Sequence, residues 1–133
     1  MTKLEQAQNP NTSQEILSVL ATDEDRMIRY LVAENPNTSP ETLQVLATDK
    51  SMNVRSEVAE NPNASPETLQ VLATDEDESV RYWVARNPKP PSEILSVLAT
   101  DEDWCVRHHA ARHPNATELI RRLVLMTDSQ ANE

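Results

Sequence analysis

A five-residue string, Val-Leu-Ala-Thr-Asp, occurs four times in this chain, beginning at Val19, Val45, Val71 and Val97. Each copy therefore starts 26 residues after the one before it. A constant period of this size indicates one small unit stacked on copies of itself, because a single unit cannot bury its apolar face alone. The repeats cover residues 9–34, 35–60, 61–86 and 87–112. Residues 1–8 are expected to be a truncated helix that caps the stack, residues 113–126 a closing cap helix, and residues 127–133 a frayed tail.

Each repeat contains two signals for the start of a helix. Serine at the fifth position of a repeat is a strong N-cap, found as Ser13, Ser39 and Ser65. In the fourth copy we expect the cap one residue later, at Ser92. Position 17 supplies a second N-cap, and this second helix must end before the next Asn-Pro or His-Pro pair, because proline cannot continue the helical hydrogen bonds.

These signals predict an all-α protein made of four two-helix repeats. No segment alternates apolar and polar residues with a period of two, so strands are not indicated. The first helix is apolar around most of its circumference, and we therefore expect it to be largely buried.

On a helical wheel, the second helix separates residue positions that are constant between repeats from positions that vary. The constant arc includes an arginine in every copy: Arg29, Arg55, Arg81 and Arg107. Each repeat also has an aspartate in the turn between its helices: Asp23, Asp49, Asp75 and Asp101. Because a buried charge is normally paired, we predict an Arg–Asp ladder that holds the repeats in register. The alternative is a free basic stripe that binds an anion.

The run Asn-Pro-Asn-Thr-Ser-Pro-Glu-Thr-Leu-Gln-Val-Leu-Ala-Thr-Asp at residues 35–49, followed by Val54-Arg55 and Val58-Ala59, resembles the leucine-rich repeat variant family. The resemblance implies a right-handed helical solenoid of the HEAT or armadillo kind, with α and 3₁₀ helices alternating in two layers. Some members carry a Cys-ligated iron–sulfur cluster, but this chain has one cysteine, so no cofactor is expected. The family has no shared catalytic activity to transfer, and we expect no enzyme.

The variable arc holds every aromatic side chain of the protein. These residues, with a neighbouring histidine, are the predicted partner-binding set: Tyr30, Tyr82, Trp83, Trp104 and His108. Tyrosine and tryptophan commonly anchor protein interfaces. The competing interpretation is that the rings only cover the edges of the core. Stacking should bring these side chains to one face, where they would bind another protein or a basic peptide.

A second hypothesis concerns the last full repeat, where Cys105, His109 and His113 are spaced four residues apart. A zinc or catalytic site would need three or four of such groups to converge. Four-residue spacing places Cys105 and His109 on one side of a helix, but His113 falls past the predicted helix end. We therefore expect no metal site and keep this cluster as the alternative.

The charge of the chain restricts its partners. Twelve Lys and Arg stand against 22 Asp and Glu, for a formal net charge of −10. This balance argues against nucleic acid and anionic membranes as partners, because both attract basic surfaces. It permits a further alternative, an acidic mimic of DNA. The sequence shows no long apolar run and no signal-peptide core, from which we expect a cytoplasmic protein. The thinly capped ends suggest end-to-end association of copies.

Overall fold

The computed structural model describes residues 1–131, and in that range the chain forms ten helices and no strand. They are α1 (Lys3–Gln8), α2 (Gln14–Leu20), α3 (Arg26–Glu34), α4 (Pro40–Leu46), α5 (Met52–Glu60), α6 (Pro66–Leu72), α7 (Glu78–Arg86), α8 (Ser92–Leu98), α9 (Trp104–Arg112) and α10 (Glu118–Ala131). The predicted all-α repeat architecture is confirmed. Each full repeat contributes a short helix of seven residues and a longer one of nine.

N-capping side chains begin most of these helices. The hydroxyl of Ser39 accepts a hydrogen bond from the backbone N–H of Thr42 at 3.2 Å, and Ser13 and Ser65 cap α2 and α6 in the same way. The expectation that Ser92 caps α8 is wrong, because Ser92 is the first residue inside that helix, which has Pro91 at its N-cap and no capping side chain. Ser51, at position 17 of its repeat, is the N-cap residue of α5 as predicted, but its side chain makes no capping hydrogen bond.

The short helices are α-helices rather than the 3₁₀ helices that the family resemblance implies. In α2 the backbone N–H of Ala21 bonds to the carbonyl of Leu17, four residues earlier, at 2.9 Å. Hydrogen bonds to the residue three positions earlier are found at the ends of short helices, as from the N–H of Thr22 to the carbonyl of Val19 and from the N–H of Ile94 to the carbonyl of Pro91, both at 3.1 Å. Such 3₁₀ geometry is common at helix ends.

The long helices form one layer and the short helices the other. Each of α1, α3, α5, α7 and α9 packs on the next in this series, whereas the short helices hardly contact one another. The layer whose members lie closer together is on the inside of the curve, so the long helices line the inner face. Between the layers lie leucines of the short helices, such as Leu43 and Leu69, and valines of the long ones, such as Val58 and Val84, all with no exposed surface.

The expectation that the short helices are largely buried is wrong on one side. A column of valines, one from each short helix, is between 48% and 70% exposed: Val19, Val45, Val71 and Val97. These side chains point away from the long helices, and no neighbouring short helix is close enough to cover them. Ile16 of α2 is 40% exposed, whereas Ile94 at the equivalent position of α8 is 6% exposed, because no short helix precedes α2 in the stack.

A ladder of buried asparagines joins the repeats, a role that the Asn-Pro turn signal in the sequence does not indicate. The side-chain amide of Asn61 donates to the carbonyls of Ala33 and Asn35 at 2.8 and 3.3 Å. Asn35 and Asn87 donate to the equivalent carbonyls of their own preceding repeats. Each rung satisfies carbonyl groups at the end of the preceding long helix, which would otherwise lack partners.

Two cap helices close the stack. At the N-terminal end, α1 repeats the contacts of a long helix, since Ala7 has no exposed surface and its carbonyl accepts from Asn35. At the C-terminal end, α10 packs on α9 and α8. It continues through Ala131, so the predicted helix end at residue 126 is too early. Of the predicted frayed tail, residues 132 and 133 lie outside the described residues.

Candidate functional site

The arginine found at the same position of every repeat forms an inter-repeat ion-pair ladder. Arg29, Arg55 and Arg81 each donate from Nε to an aspartate of the next repeat at 2.7–2.8 Å; the acceptors are Asp49, Asp75 and Asp101. Nη1 of each arginine donates to the backbone carbonyl of the aspartate in its own repeat. Each guanidinium therefore connects the inter-helix turns of two successive repeats.

Different residues supply the ends of this ladder. At the N-terminal end, Lys3 takes the role of the arginine and reaches Asp23 at 2.9 Å. At the C-terminal end, Arg107 pairs with Asp128 of α10 at 2.9 Å. The arginine side chains of the ladder are only 7–11% exposed. The alternative of a free basic stripe for an anion is wrong for these residues, because their donors are already occupied by carboxylates and carbonyls.

An open groove with a volume of about 690 Å³ crosses the inner face from α3 through α5 to α7. Tyr30 and Trp83, two of the predicted partner-binding residues, lie in its walls. The other lining residues, none of which is in the predicted partner-binding set, are Arg26, Met27, Ser51, Met52, Asn53, Ser56, Glu57 and Ser79. In the sequence, these residues share one feature: each lies on the variable arc of a long helix or at the N-cap of that helix.

At the acidic end of the groove, a tyrosine and a carboxylate from adjacent repeats form a hydrogen bond. The hydroxyl of Tyr30 donates to Glu57 at 2.9 Å. This bond, together with burial, raises the pKa of Tyr30 to about 12. Burial also raises the pKa of Glu57, against the effect of the Tyr30 bond, and the charges of Glu60 and Glu34 add to the rise. Glu34, Glu57 and Glu60 line one small cleft, so three carboxylates are concentrated here.

The remaining predicted aromatic residues form a connected cluster on α7 and α9. Tyr82 makes edge contacts with Trp83 and His109, with ring centroids 5.3 and 4.9 Å apart. His109 contacts His108, which stacks on Trp104 with centroids 4.6 Å apart. Tyr82 and Trp83 are half-buried and pack against the core, whereas Trp104 is 55% exposed. Tyr82 and Trp83 therefore cover the edge of the core, whereas the ring of Trp104 is largely free surface.

A cation lies over this cluster. The guanidinium carbon of Arg86 is 5.7 Å from the ring centroid of Tyr82 and 5.5 Å from that of Trp83, within the range of cation–π attraction. Arg86 also donates to the Tyr82 hydroxyl at 3.0 Å. Burial, and next the charge of Arg112, lowers the pKa of His108. This end of the inner face is thus cationic and aromatic, unlike the acidic end around Tyr30.

The structure does not assemble the alternative cysteine–histidine site. His109 Nδ1 lies 2.8 Å from the backbone carbonyl of Cys105, not from its thiol. His113 is buried, with Nε2 2.6 Å from the carbonyl of Asn87 and Nδ1 accepting from the N–H of Asn115. Both ring nitrogens of His113 are therefore occupied, and the three side chains do not converge. Across residues 1–131, no three His, Cys, Asp or Glu side chains are placed to hold a metal ion.

The packing, ladders and inner groove define a helical repeat protein of the solenoid class. Residues 30–82, from α3 to α7, match the family model of the Leucine Rich Repeat Variant domain. The resemblance noted in the sequence is confirmed. No curated protein and no solved structure matches the chain. None of the helices described has the length and apolar character needed to cross a membrane.

Proposed function

We propose that this protein is a non-enzymatic scaffold that binds a segment of another protein, with a preference for basic side chains, along the inner groove. The observation that carries the proposal is the groove itself, which spans three repeats and has aromatic and methionine walls beside a cluster of carboxylates. A stacked repeat creates an extended inner surface of the kind that solenoids use for binding.

The groove offers both apolar contact and charge. Met27 and Met52 are 53% and 36% exposed, and their flexible thioethers can adapt to different side chains. Tyr30 and Trp83 supply rigid ring surface. The carboxylate of Glu57 has no cation within salt-bridge distance in the described residues. A lysine or arginine of a partner can place its stem on the apolar wall and its charge at this carboxylate.

Selection from a random peptide library tests this proposal. We expect the selected peptides to be enriched in lysine or arginine together with an apolar residue. The variant Trp83→Ala with Glu57→Gln should weaken their binding at least about tenfold, since it removes one anchor and one desolvated charge. The control is Val45→Ala with Val71→Ala, which alters exposed residues of the outer layer. Selected peptides without basic residues, or equal binding by both variants, would contradict the proposal.

The aromatic cluster next to the groove gives a second test. Tyr82→Ala with Trp104→Ala should abolish binding of a partner that extends over α7 and α9, because interface affinity depends on a few large anchors. Far-UV circular dichroism should keep its helical signal, since Trp104 is exposed and Tyr82 is only half-buried. Full retention of binding by this double variant would restrict the interface to the groove at α3, α5 and α7.

A further inference from the structure

The last residue of each long helix belongs to one column along the inner layer, and its charge changes sign halfway. The column consists of Glu34, Glu60, Arg86 and Arg112, the final residues of α3, α5, α7 and α9. All four side chains are exposed. Stacking places equivalent residues of successive repeats side by side. This column is therefore acidic over repeats 1 and 2 and basic over repeats 3 and 4.

Neighbouring side chains strengthen both ends of this column. At the acidic end, Glu57 lines the same cleft as Glu34 and Glu60. At the basic end, Arg86 covers the rings of Tyr82 and Trp83, and Arg112 lies close enough to influence the ionisation of His108. Each end is thus a group of side chains from two adjacent repeats. The acidic pole consists of Glu34, Glu57 and Glu60, and the basic pole consists of Arg86 and Arg112.

Within residues 1–131, no side chain of opposite charge pairs with any member of the column. The ion pairs there use the ladder arginines, Lys3 and Arg122 as cations, and none includes Arg86 or Arg112. Arginine at the end of a helix stabilises it through the helix dipole, but glutamate at the same place is unfavourable. Helix stability therefore does not account for glutamate at positions 34 and 60.

We propose that the bound segment is bipolar, with its basic residues over Glu34, Glu57 and Glu60 and an acidic group over Arg86 and Arg112. This inference rests on the proposed function and adds the charge pattern of the partner. Complementary charge chiefly selects partners and fixes their register, and a uniformly basic segment would meet like charge over the second half of the face.

The repeat spacing sets the distance between the two charges. Packed helices lie about 8–10 Å apart, so the centres of the two poles, two repeats apart, are separated by about 16–20 Å. An extended chain rises about 3.3 Å per residue, which places the basic and acidic residues about five or six positions apart. Because the segment can lie in either direction, the spacing matters and the order of the charges does not.

Four synthetic peptides with the same neutral residues test this inference by fluorescence anisotropy. One has a pair of lysines and a pair of glutamates separated by about three or four neutral residues, so that the centres of the pairs are about five or six positions apart, and a second has the same composition with the charges intermixed. The other two carry four lysines or four glutamates. We expect the separated peptide to bind about three- to tenfold more tightly than the intermixed one, from two to three favourable exposed charge pairs.

A charge reversal in the protein provides the matched variant. Arg86→Glu with Arg112→Glu makes the column acidic throughout, and the preference should move to the four-lysine peptide. The control is Lys50→Glu with Lys89→Glu, which changes the net charge equally at exposed positions outside the column. This control should keep the preference for the separated peptide.

The possible failures are distinguishable. Equal binding of the separated and intermixed peptides, or a preference unchanged by the Arg86 and Arg112 reversal, would overturn the bipolar assignment. If the four-lysine peptide binds the unaltered protein best and Trp83→Ala with Glu57→Gln weakens it, the bipolar assignment fails while the proposed function stands. If none of the four peptides binds, both proposals fail.

Discussion

Removal of one ladder arginine should destabilise the whole stack, and Arg55→Ala is the sharpest case. Nε and Nη2 of Arg55 donate to the carboxylate of Asp75 at 2.8 and 3.3 Å, and Nη1 donates to the Asp49 carbonyl at 2.8 Å. The Arg55 and Asp75 side chains are only 11% and 10% exposed. The substitution therefore removes three hydrogen bonds and leaves a nearly buried carboxylate without its cation.

The magnitude follows from what remains after the substitution. Removing one partner of a fully buried ion pair costs about 3–5 kcal/mol. Here the loss is smaller, because Asp75 still accepts a bond from the backbone N–H of Asp77 at 2.9 Å and water can reach its exposed edge. We expect Arg55→Ala to lower the free energy of unfolding by about 2–4 kcal/mol, which is a fall in Tm of roughly 10 °C for a chain of this size.

Urea unfolding followed by far-UV circular dichroism measures this loss. Arg122→Ala is the control, since Arg122 pairs with Glu118 on the surface of α10 with both side chains more than two-thirds exposed. This control should change stability by about 0.3–0.5 kcal/mol. Arg55→Lys, which keeps the charge but loses the two-pronged contact, should fall between the two. An Arg55→Ala protein as stable as the Arg122→Ala protein would refute the structural role of the ladder.

Three further predictions concern single groups. Because the pKa of Tyr30 is raised to about 12, the contribution of this group to stability is present below its ordinary pKa of 10.0 and is lost as the pH rises towards 12. Glu57→Gln should lower the pKa of Tyr30, as followed by near-UV absorbance. A Tyr30 transition that Glu57→Gln leaves unshifted would contradict this prediction. His113 stands where all four repeats have asparagine. His113→Asn should therefore change the free energy of unfolding by less than about 0.5 kcal/mol in urea, whereas His113→Ala should cost about 1–3 kcal/mol. Equal losses would count against the shared role. Ala85 is 2% exposed where long helices pack, so Ala85→Leu should lower the free energy of unfolding by about 1–3 kcal/mol in urea unfolding. Ala111→Leu, at the half-buried equivalent position, should have a smaller effect. Equal tolerance of leucine at the two positions would place the packing seam elsewhere.

The candidate site could be predicted only in part. The wheel of the second helix separated the buried arc from the variable arc, so Tyr30 and Trp83 were recognised as surface candidates from sequence. The groove between them depends on Met27, Met52 and Glu57, whose side chains meet only because three long helices lie next to one another. Periodicity assigns a residue to a face, but it gives no distance between residues of different repeats.

The sequence by itself determined the repeat, its two helices and the presence of charged residues in a constant arc. These follow from local rules, since capping residues and prolines act within one turn and the 26-residue period fixes which positions are equivalent. Tertiary structure alone decided how the layers curve. The short helices are separated where the long helices pack closely, and the valine column that begins with Val19 is therefore exposed. The close packing of the long helices also places the hydroxyl of Tyr30 within hydrogen-bond distance of Glu57. It also decided that Arg55 bonds to an aspartate of the next repeat, because the guanidinium reaches across the seam between units.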